Sequence, residues 1–453
     1  MLSKIIISIQ FLFLITSTVA AKTPKITIDP GDLEAVKKIY QASGNNVSMF
    51  DIYPYYEWVD PINERLAIKV LGETRHRQVA NTGILIDKYG RIISLTLNAE
   101  REIDLTLIAP LKKLRALTMF GSNLRSMKKL PYLPELEELD LNKNEIGQIE
   151  GLNNLPKLRY LDLSYNKIKK IENLDKLKNL EYLNLDHNNL SRIEGLHNLL
   201  KLKSLNLGSN VKIKKIEGLA HLKRLKRLEV DGLPITEAGD ISQLINLNML
   251  SLGNSKLSTL VELKPLTNLK FLYVIHTPIT SLNGIENMSN LEIFSADYSP
   301  ITKISNLEKL TKLKFLGLLD TKISKIEGLE TLTNLEELVL NRTPIKVMEG
   351  LSNLKSLTVL QLYDTKITKL ADYQNLKNLR GFEIRNEVED APENAKAKEE
   401  MKKNMKAAKD AYYAKQNEGE AKERIERKKA KAELKKMGFR WEAYVPLSDL
   451  IQK

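Results

Sequence analysis

The chain has no cysteine among its 453 residues. That excludes disulfides, thiolate metal sites, a cysteine nucleophile and lipidation on an N-terminal cysteine. Aromatic residues are sparse at 6%, with two Trp and nine Phe, so the 42% hydrophobic content must build an aliphatic core of Leu and Ile. Histidine is scarcer still. His76, His187, His197, His221 and His276 show no metal-ligand spacing with one another or with paired carboxylates. No G-x-S-x-G, H-E-x-x-H or Walker-type loop occurs. These absences predict a chain that is not an enzyme and needs no cofactor or metal.

Long apolar runs are also lacking, apart from one at the N-terminus. Lys4 precedes the apolar run 5–15, and the small residues Ser17, Thr18, Val19, Ala20 and Ala21 follow it. This pattern predicts a secretory signal peptide over 1–21, cleaved after Ala20 or Ala21. The run is short for a membrane span, which needs ~20 residues. The expected location is extracytoplasmic: secreted, on the cell surface or in the periplasm. The net charge of +13 and pI near 9.3 favour acidic partners at long range without specifying one.

What the chain has in abundance is a repeat. Leu139, Leu161, Leu183 and Leu205 recur at steps of 22 residues, and the anchor continues at Leu228, Leu250, Leu272, Phe294, Leu316, Leu338, Leu360 and Phe382. It extends backwards to Leu117 and Leu95, giving fourteen anchors. The one step of 23, from Leu205 to Leu228, places an extra residue between Asn210 and Ile213. Within the Leu161 unit the apolar positions are Leu161, Leu163, Ile168, Ile171, Leu174, Leu177 and Leu180. The L-x-L pair alternates and reads as a short strand; the spacing of three that follows reads as a 3₁₀-like or irregular return. One turn cannot bury seven apolar groups alone, but stacked turns can, so the repeat predicts a solenoid. With neighbouring strands ~4.8 Å apart, fourteen of them span roughly 65 Å of curved parallel sheet.

The motif L-x-L-x-x-N-x-I-x-x-I resembles the leucine-rich repeat, and its 22-residue form resembles that of bacterial internalins. The resemblance implies a right-handed leucine-rich-repeat solenoid with a parallel β-sheet on the concave face and a 3₁₀ or irregular convex side. It implies that Asn144, Asn166, Asn188 and Asn210 form an inward ladder hydrogen-bonded to the backbone of adjacent turns. The later turns depart from this pattern, with Ser255, Thr277, Ser299, Thr321, Thr343 and Thr365 in the same slot. A hydroxyl has fewer bonds to give than an amide, so the second half is expected to pack its turns slightly differently. Leu233 in that slot, beside the extra residue, marks a local irregularity. The resemblance also implies a protein partner engaged through the concave face, in adhesion or host interaction.

The flanks divide the chain further. Residues 22–92 read as an N-terminal cap, 93–387 as the repeats, 388–437 as a charged helical segment and 438–453 as a C-terminal tail. In the cap, Asp29-Pro30-Gly31-Asp32 reads as a helix start, with Leu33, Val36, Ile39 and Tyr40 on its apolar side. The aromatic group Phe50, Tyr53, Tyr55, Tyr56 and Trp58 follows as capping residues or a binding patch. The stretch from Gly83 through Asp87, Gly90 and Arg91 resembles the lead-in to the first strand of many extracellular leucine-rich repeats, without the cysteines often found there. In the helical segment, Glu399/Lys403, Glu418/Lys422 and Glu420/Arg424 are favourable i,i+4 pairs, and Met401, Met405, Ala408 and Tyr412 form a thin apolar stripe.

Strand residues between inward leucines should line the concave face, where they report function rather than packing. Three columns are expected there: one residue before the anchor, one after and three after. In the first half these are acidic with tyrosines, including Tyr160, Tyr182 and Asp186. In the second half they are apolar and aromatic: Phe271, Tyr273, Ile275, Ile293, Phe315, Leu319 and Tyr363. A contiguous apolar patch on a solvent-facing sheet suggests a partner site, unless the chain's own tail covers it. A basic groove interleaved with aromatics, as nucleic acid would need, is not present, so a protein partner and a monomeric chain are expected. The alternative reading is a periplasmic or envelope scaffold held to an anionic surface by the basic helical tail.

Overall fold

The computed structural model describes residues 29–42, 51–53, 83–87, 89, 91–97, 102–371, 376–383, 396–397, 399–411, 413 and 445–446. The predicted signal peptide, the side chains of the aromatic group at 50–58 and most of the tail lie outside these residues.

Fourteen parallel strands stack in register, from β3 (Ile92–Leu97) to the strand Gly381–Glu383. Each anchor faces the next across the ladder: Leu139 beside Leu161, Leu161 beside Leu183, and so on to Leu360 beside Phe382. Most of these strands are only three residues long, since L-x-L is the whole extended segment. The chain then turns through a left-handed residue, such as Tyr165, His187 or Tyr298 with φ between 54° and 58° or, at His187, 51°. The return to the next strand is mostly turns. Short 3₁₀ helices occur at Leu105–Ile108, Leu152–Asn154, Gly239–Gln243 and Val261–Leu263. A two-stranded pairing of Val347–Met348 with Lys369–Leu370 adds to the convex side.

The seven apolar positions of the Leu161 turn are all 2% exposed or less, and the corresponding residues of the other turns join them in one continuous core. The extra residue of the long turn is extruded: Val211 is 66% exposed, and the register of Ser204 with Arg227 is undisturbed.

Three polar rows tie the turns together. In the inner row, Asn188 donates from Nδ2 to the carbonyls of Leu163 (2.9 Å), one turn back, and Leu185 (3.1 Å), in its own turn. Its Oδ1 accepts from the Ile168 N–H at 2.9 Å. Asn144, Asn166 and Asn210 repeat this geometry. Thr277, Thr321, Thr343 and Thr365 instead donate to a carbonyl three residues back in their own turn, at 2.7–2.9 Å. Ser299 reaches back to the Val274 carbonyl at 3.2 Å.

A second row runs along the outer edge. Asn179, Asn246, Asn268, Asn290, Asn334 and Asn378 each donate to a carbonyl 23 residues earlier, at 2.7–3.2 Å. A third row is ionic. Arg115, Glu137, Arg159, Glu181 and Lys203 stand two residues before successive anchors and alternate in sign, with contacts of 2.7, 3.8, 3.3 and 2.8 Å.

Close approach of turns explains the recurring glycine after Ile-Glu. At Gly195 (φ +69°) a Cβ would stand 2.3 Å from the carbonyl oxygen of Ile171. Asn173 takes the equivalent place with φ 58° and donates to the Ile149 carbonyl at 2.7 Å.

Both ends are closed by helices. Helix α1 (Pro30–Ala42) begins where Asp29 Oδ1 accepts the Gly31 N–H at 2.9 Å, with Pro30 at its first position. Ala35, Val36 and Ile39 are buried in the solenoid core, and Leu33 packs against it. Asp32 Oδ2 accepts the N–H of Ile92 at 2.7 Å, pinning the helix to β3. Strands β1 (Asp51–Tyr53) and β2 (Gly83–Ile86) extend the sheet beyond β3; β2 runs antiparallel to it. At the hairpin, Asp87 accepts the N–H groups of Tyr89 and Arg91 and the Arg91 Nε at 2.7 Å. At the other end a helix described over 399–411, preceded by helical 396–397, places Ala397 and Met401 in the same core, with Met405 packed beside them. The Met401 and Met405 stripe thus covers the last turn. Val445–Pro446 pairs antiparallel with β1 at the first edge.

Candidate functional site: the concave face

The strand residues that flank each anchor point away from the core, and the consequence is clearest at Tyr160 and Tyr182. They form a hydrophobic cluster separate from the main core. Their rings stack with centroids 4.3 Å apart and planes 1° apart. Strands ~4.8 Å apart force side chains in one column into face-to-face contact. Hence Tyr160 is 4% exposed and Tyr182 2%, although both stand on the concave side. The sequence reading placed them as accessible contacts; the structure makes them a closed pair. Burial holds the Tyr182 hydroxyl well above the usual tyrosine range, with Asp162 adding to the effect.

Phe271 is likewise closed over. It lies in register between Met249 and Ile293 and is 6% exposed. Tyr273, Ile275, Ile293, Phe315, Leu319 and Tyr363 are half-buried, and together they form the apolar strip of the second half. The described part of the C-terminal helix packs into the end of the core, and Val445–Pro446 lies at the opposite edge.

The acidic residues of this face are less free than their column suggests. Asp162 is 1% exposed; its Oδ1 accepts the Ser164 N–H (2.9 Å) and hydroxyl (2.6 Å), and its Oδ2 accepts Asn184 Nδ2 (3.0 Å). Asp186 is partly buried and its carboxylate contacts His187 Nδ1 at 2.8 Å. In the first half, the acceptor for the backbone N–H three residues after the anchor lies two residues earlier in the same turn. Asp140, Asp162, Asn184 and Asn206 all serve this way. In the second half the acceptor moves to the preceding turn: Asp231 Oδ1 takes the Gly253 N–H (2.8 Å), Asp297 the Leu319 N–H (2.7 Å) and Asn341 the Tyr363 N–H (2.7 Å). Burial pushes the carboxyls of Asp231 and Asp297 up, against the pull of these hydrogen bonds.

Two features were missed by the three-column reading. The row of left-handed residues at the rim carries two stacked pairs, Tyr165 on His187 (4.1 Å) and His276 on Tyr298 (4.2 Å). Recurring Tyr and His four residues after the anchor were the available signal. The outer asparagine row was legible in the repeated N-L-x-x-L at Asn246, Asn268 and Asn334 and the N-L-x-x-F at Asn290. Among the described residues no group of three or more His, Asp and Glu could hold a metal ion, and no helix is long and apolar enough to cross a membrane.

A curved parallel sheet, an asparagine ladder and helical end caps define a leucine-rich-repeat solenoid. The family model described as "Leucine rich repeat" matches residues 134–190, and that described as "Leucine Rich repeats (2 copies)" matches 178–221. Among solved structures, an internalin of Listeria monocytogenes (inlF) is 30% identical, with 63% of this chain and 86% of that chain covered and a TM-score of 0.57. The chain belongs to the leucine-rich-repeat proteins of the internalin-like class. A second Listeria monocytogenes protein, InlJ, matches at 24% identity over 65% of this chain and 69% of that chain, TM-score 0.51. A Leptospira interrogans leucine-rich-repeat protein matches at 24% identity over 74% and 88%, TM-score 0.61, and shares the fold. A search of the curated proteins found no match. Neither matched family model is described as that of an enzyme.

Proposed function

We propose that this chain is an extracytoplasmic binding protein that captures a protein partner on its concave face, in adhesion or host interaction. The observation that carries the reading is the strip Tyr273, Ile275, Ile293, Phe315, Leu319 and Tyr363, half-buried on the side of the sheet away from the core. Solvent-facing strand positions ordinarily hold polar side chains, and apolar patches of this kind mark interaction sites. Aromatic residues in them are favoured as energetic anchors. The N-terminal leader predicted from the sequence supports a place outside the cytoplasm.

The test uses the full chain after the leader as bait against envelope and host-cell extracts, beside a triple variant Tyr273→Ser, Ile293→Ser, Phe315→Ser. Phe271 is left intact because it is already closed between Met249 and Ile293. Capture of a specific protein should be lost in the variant while far-ultraviolet circular dichroism is unchanged. Equal capture by both would refute the concave site.

A further inference from the structure

The flank of the solenoid just past each strand has a charge pattern of its own. On the ten turns anchored from Leu161 to Leu360, Ile168 and its equivalents through Ile367 are fully buried. The residue before each and the two after it make thirty positions, and none of these is buried. They hold fourteen Lys or Arg and a single acid, Glu237; nine more are Ser or Thr, and none is aromatic. All fourteen cations are exposed. Their formal +13 equals the net charge of the whole chain.

Part of that charge is met locally. Glutamates pair with Lys167, Lys170 (3.6 Å), Arg192 (2.9 Å), Lys215 (3.8 Å) and Lys303 (3.4 Å). The other nine lysines stand in no ion pair among the described residues. Five of them, Lys322, Lys325, Lys346, Lys366 and Lys369, share the last three of these turns. Glu349 and Asp364 are close to them in sequence and exposed, yet neither pairs with them. The backbone here is fixed: Val347–Met348 pairs with Lys369–Leu370, and the Thr368 N–H donates to the Lys346 carbonyl at 2.9 Å. Where the chain enters its strands, by contrast, the row from Arg115 to Lys203 alternates in sign and neutralises itself. Like charges gathered without partners repel one another, a cost that a bound polyanion removes.

We propose that this flank, independently of the concave site, binds a linear anionic polysaccharide carrying sulfate or uronic-acid groups, with the last three turns as its main contact. Lysine meets such groups as a flexible point charge. The interleaved Ser and Thr hydroxyls both donate and accept, which suits sugar hydroxyls. Lys322 and Lys366 stand two turns apart, as do Lys325 and Lys369, so each pair is separated by roughly 10 Å, about the length of one disaccharide. Single-stranded nucleic acid would need aromatic platforms for its bases, and the flank has none. Surface helices that enter a membrane interface add aromatic and apolar side chains to their lysines. Apart from the extruded Val211 beside it, the flank's one aliphatic side chain besides proline is Val347, which is half-buried.

The experiment measures anisotropy of a fluorescein-labelled heparin oligosaccharide on the full chain. The expected result is binding that weakens about tenfold or more between about 100 and 300 mM salt. Lys322→Gln, Lys325→Gln, Lys366→Gln and Lys369→Gln together should weaken it about tenfold or more. The urea midpoint should not move, because these side chains are exposed and unpaired. Lys402→Gln, Lys403→Gln, Lys406→Gln and Lys409→Gln, exposed on the C-terminal helix, remove the same charge and should change binding by less than about twofold. The concave variant Tyr273→Ser, Ile293→Ser, Phe315→Ser should bind heparin as the parent chain does. No heparin binding, or an equal loss in the two lysine variants, would overturn the proposal. So would single-stranded DNA or phosphatidylserine vesicles binding as tightly as heparin and losing as much in the flank variant, since the flank would then be a nucleic-acid or membrane site.

Discussion

Replacing Asn188 with Ala tests how turns are held to one another. The side chain is 7% exposed, and its amide donates to carbonyls of two turns while its oxygen accepts the Ile168 N–H of the preceding turn. Alanine strands that N–H in a place water does not reach. A buried backbone group left unpaired costs about 1–3 kcal/mol, and each lost hydrogen bond of ordinary strength adds about 1 kcal/mol. Allowing for the carbonyls' remaining backbone bonds, the loss should be about 3–4 kcal/mol. Thr343→Ala is the internal comparison. Thr343 donates only to Leu340 in its own turn, at 2.7 Å, so its loss should cost about 1 kcal/mol. Asn188→Thr should fall between, keeping the bond within its turn and losing the acceptor for Ile168. Urea unfolding supplies the free energies, and amide hydrogen exchange at Ile168 supplies a local readout, since solenoids can open turn by turn. If Asn188→Ala costs no more than Thr343→Ala, or the Ile168 amide keeps its protection, the two-turn bridge is not what stabilises the first half.

Gly195→Ala puts a Cβ against the Ile171 carbonyl at a positive φ and should lower stability by about 2 kcal/mol or more. Gly147→Ala, whose Cβ meets nothing within 4 Å, is the matched control in the same urea titration. Burial raises the Asp231 carboxyl above its ordinary range, so the folded state holds this proton more tightly than the unfolded chain. Its contribution is favourable below the ordinary carboxyl pKa and is lost as pH rises through the raised value. Asp231→Asn, which keeps the oxygen facing Gly253, should therefore gain stability at pH 7 relative to the parent, and the gain should vanish in acid. Glu286 shows the opposite sign: the Lys264 ammonium, 2.9 Å away, holds its carboxyl down at about 2. Its stabilising contribution is present above the ordinary glutamate range and is lost as pH falls towards 2, which carbon-detected NMR titration of Glu286 would follow; a midpoint near 4.5 would refute the pairing.

The solenoid was legible because its signal is redundant. Each turn repeats the same seven apolar positions, so even Phe294 and Phe382, which are not leucine, fall into place by spacing. The candidate site was legible only in outline. Position in a column placed Tyr160, Tyr182 and Phe271 on the concave side, yet whether a side chain there meets solvent depends on its neighbours 22 residues away. Tyr182 lies against Tyr160, and Phe271 between Met249 and Ile293, so all three are closed, whereas Phe315 stays partly open. The same holds for charge: Asp186 belongs to the acidic column in sequence, and in the fold its carboxylate contacts His187 Nδ1.

By itself, then, the order of residues determined the winding, the register and the ladder slots, because one turn's needs are met by an identical neighbour. Exposure, the transfer of the Gly253 and Leu319 N–H groups to carboxylates of a preceding turn, and the closing of the last turn by Met401 were decided only in three dimensions. These depend on contacts between turns whose residues differ, and on which side chain reaches a given space first; a periodic pattern holds no record of either.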